Sequence, residues 1–123
     1  MSAWDITAAN DGRVMVVEWN CVESCVHIFS EDGEYLEKYK LQGRCDYPRV
    51  AFHQLTEHVV IAGEKEEESV FVVEIFTKDG EFVRSSQIHE ERIRDIAGMT
   101  LTRDRRIALL LRDIGDTCKV LVI

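Results

Sequence analysis

The chain is short of positive charge. It has 15 Lys and Arg against 23 Asp and Glu in 123 residues, a formal net charge of −8. Nucleic-acid binders draw much of their affinity from neutralising phosphates, so this balance argues against a nucleic-acid partner and against an anionic membrane surface. It leaves room for a local basic patch. No apolar run approaches the roughly 18 residues of a membrane helix. The start, Met1-Ser2-Ala3-Trp4-Asp5, lacks the basic region and apolar stretch of a signal peptide. The chain therefore reads as cytoplasmic.

Catalytic and metal-binding signatures are also missing. Cys21 and Cys25 are closely spaced, but neither Cys45 nor Cys118 makes a second close pair with a nearby His, so no zinc set is complete. The four cysteines read as reduced thiols, with a Cys21–Cys25 disulfide as the alternative. His27, His53, His58 and His89 show no His-x-His or Glu-x-x-His spacing. There is no Gly-rich phosphate loop and no Gly-x-Ser-x-Gly elbow. Asp32, Asp79 and Asp104 sit in turns, and nothing selects a catalytic carboxylate pair among them. We expect no enzymatic activity, no cofactor and no metal.

What is present is a folded composition, with 46% hydrophobic and 31% charged residues in a single-domain length, and an internal repeat. Ile28-Phe29-Ser30-Glu31-Asp32-Gly33-Glu34-Tyr35 matches Ile75-Phe76-Thr77-Lys78-Asp79-Gly80-Glu81-Phe82 with an offset of 47 residues. A further 47 positions lead from Phe76 to Ile123, at the end of the alternating strand Lys119-Val120-Leu121-Val122-Ile123. Arg13–Glu18, His58–Gly63 and Arg106–Leu111 correspond as nearly continuous apolar strands. Before them lie short apolar segments: Ile6–Ala9, Val50–His53 and Met99–Thr102. A period near 47 with four strands per unit is propeller-blade spacing.

Each unit reads as a short first strand, a tight turn, an apolar second strand, a third strand and, after an Asp-Gly turn, a half-wet outer strand. The three tight turns are Asn10-Asp11-Gly12, Leu55-Thr56-Glu57 and Arg103-Asp104-Arg105. The outer strands are Tyr35–Leu41 and Phe82–Ile88. Pro48 falls in the link between the first two units, where a missing N–H is harmless. Ile88–Ala97 is the matching link, and the one stretch that suits a helical turn. The prediction is an all-β fold in one domain, residues 1–123. It is a partial β-propeller of two four-stranded blades plus three strands of a third, with repeats at about 4–47, 48–96 and 97–123.

The run Ile6…Asp11-Gly12-Arg13-Val14-Met15-Val16-Val17-Glu18…Val26-His27-Ile28-Phe29…Asp32-Gly33-Glu34-Tyr35 resembles the NHL repeat, the propeller repeat at the carboxyl end of TRIM-NHL proteins. The resemblance covers almost the whole chain. The departures are Trp19-Asn20-Cys21 and Glu64-Lys65-Glu66-Glu67-Glu68 where the family often has Asp and an Asn-Arg pair, and no Gly after Asp104. The resemblance implies about six blades and binding of protein or RNA on one face of the disc. It carries no binding residue over to this chain. The alternative is that the chain is a piece of a larger TRIM-NHL-like ubiquitin ligase.

Three blades leave apolar faces and an edge strand uncovered. Two copies would close a six-bladed ring about a two-fold axis. In such a fold the loops joining strands two and three share one face with the links between blades. That places Trp19, Asn20, Arg44, Tyr47, Arg92, Arg94 and Arg112 on a candidate interaction face. Tyr, Trp and Arg dominate interface hot spots. The arginines also suit RNA phosphates, or pairing with Asp46, Asp95 or Asp113. The acidic run from Glu64 to Glu68 reads as solvated loop, or as a surface receiving a basic partner. We expect a protein partner, another copy of the chain, or both, with RNA as the alternative that the net charge disfavours.

Overall fold

The computed structural model describes residues 2–20, 23–65, 68, 70–90 and 92–123. Among the described residues, eleven strands form three antiparallel sheets, each a simple meander. Sheet 1 holds β1 (Ala3–Ala8), β2 (Val14–Trp19), β3 (Ser24–Phe29) and β4 (Tyr35–Lys40). Sheet 2 holds β5 (Asp46–His53), β6 (His58–Lys65), β7 (Val70–Thr77) and β8 (Phe82–Ile88). Sheet 3 holds β9 (Ile93–Leu101), β10 (Ile107–Asp113) and β11 (Cys118–Val122). The architecture is that of a partial propeller. Among the described residues no helix is long and apolar enough to cross a membrane.

The turns follow from the residues that make them. Gly12, Gly33 and Gly80 take φ of +88°, +88° and +92°. In each case the Gly N–H donates to the carbonyl three residues back, on Ala9, Ser30 and Thr77. Where the other tight turns lack Gly, Glu57 and Arg105 adopt positive φ instead (58° and 68°). That conformation costs a non-Gly residue about 1 kcal/mol. It explains how the third unit turns without a Gly after Asp104.

The sheets pack face to face through two apolar layers. Met15, Val17, Val26 and Ile28 of sheet 1 meet Val50, Phe52, Val59, Ile61, Val72 and Phe76 of sheet 2. The opposite face of sheet 2 (Val60, Ala62, Phe71, Val73, Ile75) meets Ile96, Ile107, Leu109 and Leu111 of sheet 3. The middle sheet is therefore apolar on both sides, which is why β6 and β7 read as continuous hydrophobic runs. The fourth strands β4 and β8 are largely exposed. The first strands lie nearest one another, β1 against β5 and β5 against β9.

The first strands begin earlier than their apolar segments suggest: at Ala3 rather than Ile6, at Asp46 rather than Val50, and at Ile93 rather than Met99. Residues 93–97, read as link or helical turn, are strand. Pro48 lies inside β5 instead of in a link. The reason is common to all three. Each first strand breaks register near its start: between Ala3 and Asp5, between Asp46 and Arg49, and twice in β9 opposite β10. A bulge disrupts the ladder locally and breaks strict alternation. Pro48, with no N–H, occupies one such interruption.

Candidate functional site

The bulges aim side chains at one end of the sheets, where the first strands start and the second strands finish. Trp4 is the residue skipped in β1. Tyr47 lies in the β5 bulge with φ of +51°. Arg94 is skipped in β9. Each first strand thus displaces a residue from its ladder toward the same end. Together with Arg49 and Asp95 they line an open cleft of about 320 Å³ between the sheets.

Aromatic packing holds one wall. The Trp4 and Trp19 rings meet edge-on at 5.3 Å. Tyr47 lies 5.5 Å from Trp4 and 4.6 Å from Trp19. Such pairs add about 1 kcal/mol beyond the area they bury. Trp4 keeps 42% of its surface exposed and Tyr47 37%. Beneath them sits Asp46, 1% exposed. Its Oδ1 accepts from Trp19 Nε1–H at 2.9 Å and from Arg44 Nε–H at 2.7 Å. One buried carboxylate thereby orients the Trp19 ring and the Arg44 guanidinium. The link before β5 packs tightly against β6: a Cβ on Gly63 would lie 2.3 Å from Cys45 Sγ and 2.8 Å from the Asp46 carbonyl oxygen.

The other wall is a mixed-charge network. Arg112 Nε stands 3.3 Å from Asp95 Oδ1. Arg94 reaches Asp116 at 3.0 Å and Asp95 at 3.9 Å. Arg92 is exposed and lies apart, with φ of +66°. Its carbonyl accepts the Ile114 N–H at 2.9 Å, tying the β8–β9 link to the β10–β11 turn. Asn20 shapes its own loop, its Oδ1 accepting from Glu23 N–H at 2.9 Å.

Of the seven residues that the sequence places on this face, the structure brings Trp19, Arg44 and Tyr47 together around Asp46, and Arg94 and Arg112 together around Asp95. Asn20 and Arg92 are at the same end. Trp4 and Arg49 are absent from the sequence-derived set. Starting the first strand at Ile6 hid Trp4. The bulge at Trp4 breaks the alternation there, so no local pattern carries the strand back to residue 3. Cys21, Glu66 and Glu67 lie outside the described residues, so neither the Cys21–Cys25 alternative nor the middle of the acidic run is placed. Cys25, Cys45 and Cys118 are free thiols. Burial pushes the Cys45 thiol far up and the Cys25 thiol up as well, so both stay protonated and poorly nucleophilic. No group of three or more His, Cys, Asp or Glu suited to a metal occurs among the described residues.

No family model and no curated protein matches the chain. Among solved structures it is similar to a protein from Lactobacillus plantarum determined by a structural genomics consortium, with a TM-score of 0.58 at 14% identity. The match covers 98% of this chain and 40% of that one, so the chain spans well under half the length of its structural neighbour. Similarity at this identity speaks to the fold alone. That neighbour and the four-stranded antiparallel sheets together identify the fold as propeller-like.

Proposed function

We propose that this chain is a non-enzymatic interaction module that binds a protein partner at the cleft lined by Trp4, Tyr47, Arg49 and Arg94. The observation that carries this reading is the exposure of two large aromatics, Trp4 and Tyr47, on a rigid support beside arginines. Ordered aromatics and arginines at the centre of a concave surface are what protein interfaces use as anchors. The repeat is of NHL type in this reading. The module works in the cytoplasm, where its free thiols suit a reducing compartment. It acts alone, by self-association, or within a larger TRIM-NHL-like ubiquitin ligase.

The same arginines favour a second reading, RNA binding. Against it, Arg44, Arg94 and Arg112 are matched to Asp46, Asp116 and Asp95 respectively. That leaves a mixed-charge face rather than a continuous basic one. Two assays separate the readings. Selection from a displayed random-peptide library on the wild-type chain should enrich sequences that lose at least tenfold in affinity on Trp4→Ala/Tyr47→Ala. No enrichment, or enrichment indifferent to that pair, overturns protein binding at this cleft. Filter binding of a single-stranded RNA pool at about 50 and 200 mM salt should give little retention at either concentration. Strong retention at low salt, lost at high salt, would put RNA first.

A further inference from the structure

The two outermost sheet faces repeat, position for position, faces that are buried inside the molecule. Strand pairing makes this explicit. On the far side of sheet 3, Val120 pairs with Leu110 and Val122 with Ala108. These correspond to Val73 with Ala62 and Ile75 with Val60 in sheet 2, and to Val26 with Val17 and Ile28 with Met15 in sheet 1. The sheet 1 and sheet 2 sets are buried against the following sheet. On sheet 3 the equivalent residues are open, with Val120 66% exposed.

The near side of sheet 1 is the complementary case. Ile6 pairs with Val16, Val16 with His27, and Val14 with Phe29. The equivalents in sheet 2 are Val50 with Ile61, Ile61 with Glu74, and Val59 with Phe76, which face sheet 1. Ile6 is 63% exposed where Val50 is buried. One polar position recurs. Glu74 sits within the sheet 1–sheet 2 joint and accepts the Gln42 N–H at 2.8 Å. At the same place on sheet 1, His27 is held between Glu18 (2.8 Å) and the Tyr35 hydroxyl (3.1 Å).

We infer that the far face of sheet 3 of one copy docks on the near face of sheet 1 of a second copy, and that two such joints close a ring of six sheets. This rests on the reading above that the chain self-associates, and it names the surfaces that do so. Each new joint continues the pattern of the two joints already present. It is head-to-tail, so two copies close the ring only where the rotation from sheet to sheet brings the sixth sheet back against the first.

Solution mass of the full chain by light scattering tests it, with Ile6→Lys, Val120→Lys and, as a control at another surface, Leu55→Lys. All three side chains are exposed, and circular dichroism verifies that the variants fold. Wild type and Leu55→Lys should run at twice the chain mass of 14.2 kDa. Ile6→Lys and Val120→Lys should each run at the single-chain mass. An equimolar mixture of these two should return to the double mass, because one joint in the mixed pair is unaltered. A monomeric wild type overturns self-association and the joint together. A dimeric wild type with variants that stay dimeric, or with a mixture that stays monomeric, overturns the head-to-tail joint and leaves self-association standing. Masses above two copies overturn ring closure.

Discussion

At the scale of single residues, two buried carboxylates do different work. Asp46 is satisfied by Trp19 and Arg44, and it organises one wall of the cleft. Asp46→Ala removes the acceptor and leaves the indole N–H half-buried without a partner. It should lower stability by about 2 kcal/mol in urea unfolding, with a loss of peptide binding at the cleft. Glu74 is buried in an apolar joint, and desolvation raises its carboxyl pKa despite the Gln42 hydrogen bond. The folded state then binds more protons than the unfolded one. The favourable contribution is complete below the unfolded pKa and is lost as pH rises through the folded one. Glu74→Gln keeps an acceptor for Gln42 and never ionises. It should melt above wild type near neutrality, and the difference should vanish below the ordinary carboxylate range. Thermal melts across that range check the sign. An arginine partner for Asp46 was legible in the sequence, but its burial beneath Trp19 and the burial of Glu74 within a joint between sheets were not.

At the scale of elements, turn chemistry was the most legible feature. The matching Asp32-Gly33 and Asp79-Gly80 turns have nearly the same φ and the same backbone hydrogen bonds. They differ in what surrounds them. A Cβ at Gly33 meets nothing within 4 Å, whereas one at Gly80 would lie 2.8 Å from the Tyr39 ring. Gly33→Ala should cost about 1 kcal/mol, the price of positive φ alone. Gly80→Ala should cost about 1–3 kcal/mol more, because the Tyr39 ring is packed on Phe76 at 5.2 Å and must move. Chemical denaturation of both variants measures the difference. The starts of the first strands were not legible. Their bulged residues, Trp4, Tyr47 and Arg94, break the alternation that marks a strand, and those residues line the cleft.

At the scale of the whole molecule, two apolar layers join three sheets and two equivalent faces remain uncovered. On the proposed joint, ring closure by a second copy would couple folding to association. The melting temperature of the wild-type chain should therefore fall on dilution, while that of Val120→Lys should not. Differential scanning fluorimetry over a concentration series reads this directly. A melting temperature independent of wild-type concentration would count against the joint.

The sequence by itself determined the strand order, the antiparallel meanders and the 47-residue period. All of these arise from local turn chemistry and from apolar runs that announce burial on both faces. It also grouped the aromatic and arginine residues at one end of the sheets, because topology alone sends second-strand ends and links there. Only the tertiary structure decided which of them meet. Trp4, Trp19 and Tyr47 come from three strands in two sheets, and Arg94 from a third sheet. Their convergence depends on bulges and on face-to-face packing, which are long-range properties that a local pattern does not encode.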